Sequence, residues 1–149
     1  MKNEIKEYDD PMDLVDGYKA HQHYIRKAIA VDETPEWKII DLLFERLAYL
    51  YTSDECFIVV EYCIDTITEK RFCHVRLVGG PPNRSFDIII NHMDWLEQTA
   101  LKYGYPNLSY TGRKGWMKAF KKLGWVVDAN DIPSDPKLIT MIKELKSIH

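Results

Sequence analysis

Between residues 108 and 125 a short apolar strand pattern runs into Gly112-Arg113-Lys114-Gly115-Trp116, and a helical stretch then reaches Leu123 before Gly124-Trp125. Two glycines and two cations at one corner constrain the chain strongly, because a strand must end, turn and feed a helix within a few residues. A helix N-terminus presents unpaired N–H groups, so the same corner can also receive an anion. No complete phosphate-loop pattern accompanies it, and a tight corner with a solvated basic rim is the better account of the residues.

Charge is distributed unevenly around this corner. Residues 1–55 carry 7 Lys and Arg against 13 Asp and Glu, whereas residues 56–149 carry 13 against 10, for a net charge of −3. The densest basic group is Arg113, Lys114, Lys118, Lys121 and Lys122. At helical spacing the four lysines share one stripe, and Trp116, Ala119, Phe120 and Leu123 form the apolar stripe opposite. That pattern describes a helix packed on a core with a solvated back. No nucleic-acid partner is expected, since the chain is acidic overall and lacks helix-turn-helix, zinc-finger and aromatic RNA-binding patterns.

The 149 residues suit one domain, 1–149, and no apolar run approaches the length of a membrane span. The polar, acidic start lacks the basic and apolar regions of a secretory signal, so a cytosolic setting is expected. Cys56, Cys63 and Cys73 have no metal-type spacing and are expected to be reduced and packed. His21 and His23 lie two apart in helical sequence, which points them to different sides, and no metal is expected.

Residues 4–8 read as a short first strand and 11–29 as a helix with Met12, Val15, Tyr18 and Ile25 among its apolar positions. Thr34 and Pro35 mark a second helix start, and the spacing from Ile39 to Leu50 and Tyr51 predicts a helix over 34–51. Residues 56–64 and 71–78 are Val, Ile, Phe and Cys rich and predict an antiparallel hairpin, stopped by Gly79-Gly80-Pro81-Pro82. A helix over 85–103 follows, with Gly104 as its cap. The corner region and a strand at 125–127 come next. A final amphipathic helix is expected at about 135–148, starting at Ser134 or Asp135 with Pro136 in its first turn and burying Leu138, Met141, Ile142 and Leu145.

This element order, with Ala119-Phe120-Lys121-Lys122-Leu123-Gly124-Trp125, resembles the GNAT superfamily of N-acetyltransferases, whose helix-to-strand segment reads aromatic-Tyr-Glu-Lys-Leu-Gly-Phe. Leu77-Val78-Gly79-Gly80, Trp95, the Gly112 to Trp116 corner and Gly124-Trp125 together resemble small GNAT-like proteins of tailed bacteriophages. The resemblance implies an α/β (α+β) fold, with a mixed, mostly antiparallel sheet flanked by helices on both faces. It also implies acetyl-CoA as donor if the protein is active, held by the turn at Arg76, Gly79 and Gly80 with help from Arg113 and Lys114.

Two departures from the pattern bear on activity. The family's Gln/Arg-x-x-Gly-x-Gly/Ala turn uses backbone N–H groups to hold a diphosphate, and Pro81 and Pro82 remove two such donors. Phe120 stands where active members carry the proton-donating Tyr, leaving Tyr110 or Tyr105 as substitutes and Glu61 as the candidate base. The resemblance therefore implies either a non-catalytic phage protein or a genuine acetyl-CoA-dependent N-acetyltransferase. The first would act by binding other phage proteins or itself, in the host cytoplasm or the virion.

Overall fold

The computed structural model describes residues 4–82 and 85–145. Asp10 begins the first helix, α1 (Pro11–Asp32), by accepting the Met12 N–H at 2.7 Å, and Pro11 fills the first turn where no donor is needed. Helix α2 (Glu36–Phe44) follows Pro35 and is tied to α1 through Glu36, whose carboxylate accepts from Tyr18, Gln22 and Arg26 at 2.7, 2.9 and 2.9 Å. These bonds and the neighbouring Arg26 hold the Glu36 carboxyl below its ordinary range, although partial burial works against them.

The expected helix over 34–51 is corrected here. It stops at Phe44 because Arg46 takes a left-handed φ of 61° and the N–H groups of Leu47 and Ala48 both close onto the Leu42 carbonyl. Residues Tyr49–Ser53 form strand β1 instead, paired antiparallel with β2 (Cys56–Ile64) from Tyr49 opposite Val60 to Ser53 opposite Cys56. Their Tyr-Leu-Tyr-Thr composition suits a pleated surface better than a helix. The first strand expected at 4–8 reduces to a single bridge between Lys6 and Thr52 along β1.

Strand β3 (Arg71–Gly79) pairs antiparallel with β2, as expected of a hairpin. Helix α3 (Phe86–Lys102) leads to β4 (Asn107–Arg113), a 3₁₀ turn (Lys114–Trp116), α4 (Met117–Lys122) and β5 (Val126–Val127). Gly124 leaves α4 at a φ of +89°, a backbone that side-chain-bearing residues rarely adopt.

The predicted terminal helix is also corrected, because Leu138–Glu144 is strand β6, antiparallel to both β4 and β5. Ser134-Asp135-Pro136 is a turn in which Asp135 accepts the Lys137 N–H at 2.9 Å. Helical capping and this turn share the same residues, and the β-branched Ile139, Thr140 and Ile142 then enter the slot between two strands. Met141 is buried and Ile142 exposed.

The sheet order is β1-β2-β3-β4-β6-β5, with β3 and β4 the parallel pair. One core lies under α1 and α2 around Leu14, Ile25, Ile39, Leu43, Phe57 and Val59. The other lies under α3 and α4 around Val75, Met93, Leu96, Tyr110, Phe120 and Trp125. Among the described residues no helix is long and apolar enough to cross a membrane.

Candidate functional site

Parallel pairing of β3 with β4 runs only from Phe72 opposite Asn107 to Val75 opposite Tyr110. Beyond that rung the two strands continue without pairing to each other, β3 to Gly79 and β4 to Arg113. The parting coincides with a bulge. Val59 faces Leu77 while Val60 faces Val75, which makes Arg76 the extra residue on β3.

At the mouth of the parted strands lies a cleft of about 530 Å³. Gly80, Pro81, Pro82 and Ser85 border it on one side and Arg113, Gly115 and Trp116 on the other, with Lys27 of α1 at its edge. Two segments singled out in the sequence, the Gly79 to Pro82 stop and the Gly112 to Trp116 corner, thus form opposite walls of one site. A Cβ on Gly80 would come within 2.7 Å of Cys56 Sγ and 2.8 Å of Ser85 Oγ, so only glycine fits this wall. A separate small cavity of about 10 Å³ is bordered by Arg76, Leu77, Tyr110, Gly112 and Leu138, with Ala28 and Val31 of α1.

The predicted site residues divide between this cleft and its surroundings. Gly80 and Arg113 border the cleft, and Gly79 ends β3 beside it. Lys114 is exposed at the start of the 3₁₀ turn and does not border it. Arg76 lies within β3, not in a turn, and its guanidinium donates to Glu61 Oε1 at 2.9 Å, which brings these two candidates together as an ion pair. Tyr110 is 2% exposed, and its hydroxyl donates to the Arg113 carbonyl at 3.1 Å. Tyr105 packs on Tyr62 at 4.9 Å, outside the cleft. Phe120 is fully buried, edge-on to Tyr110 at 4.6 Å and against Trp125 at 5.0 Å. Gly112 is required by packing as well, since a Cβ there would lie 2.5 Å from the Tyr110 hydroxyl.

On the sheet face opposite Tyr110 the structure assembles a row that sequence reasoning did not single out. Glu61 faces His74 across β2 and β3, and His74 faces Ser109 across β3 and β4, one rung before the strands part. The His74 Nδ1 and Ser109 Oγ are 2.8 Å apart. Both border a second cavity of about 670 Å³, with Thr111 and Thr140 across the next strands and Asp128 and Asp131 from the loop after β5. Burial holds the His74 imidazole below its ordinary value, and Arg76 adds to this against the opposing pull of Glu61 and Asp131. A neutral imidazole beside an open polar cavity can take a proton. The polar alternation of His74 and Arg76 between Cys73, Val75 and Leu77 was the available signal, but only strand register aligns it with Ser109.

The charge around the cleft suits a diphosphate such as that of coenzyme A. Lys27 and Arg113 border it, and the N-terminus of the 17-residue α3 opens at Ser85 and Phe86. Main-chain donors are fewer than such a site usually offers, since Pro81 and Pro82 carry none. Pro82 is exposed and the cleft remains open.

No protein-family model matches this chain, and no curated protein does. Solved structures match along nearly its full length. FeeM, an N-acyl amino acid synthase from uncultured soil microbes, is 10% identical, with 97% of this chain and 90% of that one covered and a TM-score of 0.68. Ard1 from Thermoplasma volcanium is 16% identical over 99% and 100% of the two chains, with a TM-score of 0.62. A GNAT family acetyltransferase from Elizabethkingia anophelis with acetyl-CoA bound is 13% identical over 95% and 97%, with a TM-score of 0.59. At such identities the likeness concerns the fold, and the fold is that of the GNAT acetyltransferases: a mixed, mostly antiparallel sheet with helices on both faces.

Proposed function

We propose that this chain binds a coenzyme A thioester at the parting of β3 and β4 and transfers the acyl group to an amine of a small molecule or protein. The observation that carries the reading is the cleft at the strands' mouth, with Lys27, Arg113 and the α3 N-terminus around it. Structures of the same fold have been solved with CoA and with acetyl-CoA bound, which supports the choice of donor.

In this reading Lys27 and Arg113 hold the donor's phosphates, and Gly80 lets its wall pack closely on Cys56 and Ser85. The donor, when bound, supplies an activated acyl group. As the amine nitrogen bonds to the acyl carbon and the carbon–sulfur bond breaks, His74, kept neutral by burial, takes the proton the amine releases and passes it to the departing thiolate, while Ser109 fixes its ring through Nδ1. Glu61 acts one step removed, through its pull on His74 and its pairing with Arg76. Phe120 takes no part.

Calorimetry with acetyl-CoA tests the reading directly: micromolar binding is expected, weakened about tenfold by Arg113→Ala, the loss of one charge-assisted contact. No binding at millimolar ligand ends it. His74→Ala should leave this affinity unchanged and lower turnover by about 10²-fold or more. In the wild type, turnover should fall only on the acid side, below the ordinary histidine range, because a depressed pKa keeps the imidazole neutral above it.

A second reading retains the fold without turnover, as a phage-encoded component acting by protein binding in assembly or in the particle. Buried Phe120 and the two prolines favour the absence of turnover. Absence from purified particles, together with no phage protein captured in pull-downs, would end that reading.

A further inference from the structure

A third cavity, of about 500 Å³, lies beside the β1 edge of the sheet and shares no bordering residue with the cleft or the His74 cavity. Six tyrosines border it: Tyr8 from the segment before α1, Tyr49 and Tyr51 from β1, Tyr62 from β2, and Tyr103 and Tyr105 from the turn after α3. Four separated chain segments therefore deliver the same side chain to one place, where a plain core would be filled by Leu or Phe.

The rings are mutually inclined and not stacked. Tyr62 stands at 59° to Tyr49, 88° to Tyr103 and 51° to Tyr105, with centroids 5.7, 6.4 and 4.9 Å away. Its hydroxyl lies 3.0 Å from that of Tyr51, which ties two walls together. Burial pushes the phenols of Tyr51 and Tyr62 well above their ordinary range, so both stay neutral.

An aromatic face carries negative charge density and attracts cations held within about 6 Å of its centroid. Three of these rings already do so within the chain, with Lys6 5.2 Å over Tyr8, Arg71 5.8 Å over Tyr105 and Lys102 5.9 Å over Tyr103. None of these cations borders the cavity. The acidic residues Glu7 and Asp9 do border it and add negative potential. The remaining charged neighbour, Arg46, is committed to the carbonyls of Tyr8 and Asp9.

We propose that this tyrosine cavity binds a quaternary or methylated ammonium group. The class follows from hydration. A metal ion or a primary ammonium holds its water tightly and needs several oxygen ligands in exchange. Among the described residues no group of His, Cys, Asp and Glu is arranged to hold a metal. A methylated ammonium sheds its weak hydration onto ring faces, and carboxylates at the border balance its charge. The volume lies within the range of small-molecule pockets, which begins at about 300 Å³, so part of the molecule bearing the head can enter as well.

The test is titration of the full chain with tetramethylammonium chloride and choline, followed by tyrosine and tryptophan fluorescence or amide chemical shifts. The controls are ammonium chloride and 3,3-dimethylbutanol, the neutral isostere of choline. Choline should bind about tenfold more tightly than the isostere. Tyr103→Ala, at a side chain 53% exposed, and Glu7→Gln should each weaken choline several-fold without moving the unfolding midpoint. Comparison of free choline with a trimethyllysine peptide then identifies the source of the group, and tighter binding of either supports the site. Three results would overturn it: no response to tetramethylammonium, equal binding of choline and its isostere, or wild-type affinity in the Tyr103→Ala variant.

Discussion

Phe120 occupies a position whose sequence context points toward chemistry and whose surroundings are entirely those of a core. It is fully buried between Tyr110 and Trp125 and borders neither the cleft nor the His74 cavity. A tyrosine here would therefore add a hydroxyl to a fully packed core. Phe120→Tyr should destabilise the chain by about 1–3 kcal/mol and raise no turnover, as read by urea unfolding and an acetyl-transfer assay. A stable variant with faster turnover would show that the hydroxyl reaches the site. His74 is the reverse case, unremarkable in sequence and poised in the structure. Its proposed role depends on Ser109, 35 residues away, and on a register that no local pattern encodes.

At the scale of elements, β6 replaces an expected helix, and an ion pair ties it to the layer above. Lys143 of β6 pairs with Glu97 of α3 and also donates to the Leu123 carbonyl. Burial raises the Glu97 carboxyl, while Lys143 pulls it back down. Lys143→Met should leave the Glu97 charge, whose side chain is only 9% exposed, without its cation. The expected loss is about 2–3 kcal/mol, below the range for a fully buried pair because the Lys143 side chain is 25% exposed. Urea unfolding of Lys143→Met and of the Glu97→Gln/Lys143→Met double variant checks this. The double variant should recover most of the loss, and equal values for the two would show that the pair contributes little. The β2–β3 hairpin and α3 were legible in the sequence because periodicity, turn residues and caps all agreed there. Strand β1 was not, since Leu47, Leu50 and Tyr51 continue the spacing of α2 past the point where Arg46 turns the backbone.

For the whole molecule, the proposed donor should act as a folding ligand, because its cleft joins α1, β3, the start of α3 and β4. At a hundredfold excess over its dissociation constant it should add about 2.7 kcal/mol of stability, which for 149 residues is a rise in melting temperature of about 5–10 °C. Thermal melts with CoA, repeated on Arg113→Ala, measure this. An unchanged melt would mean that no ligand binds the native cleft. By itself the sequence determined the hairpin, the inward face of α3 and the Gly124 exit, because each rests on contacts between residues close along the chain. Tertiary structure decided that residues 49–53 and 138–144 are strands, since their hydrogen-bond partners lie in other segments. It also decided that the glycine-basic corner is one wall of a cleft. That wall exists because β3 and β4 part after Val75 and Tyr110, and parting is a property of two strands together that neither strand's residues specify alone.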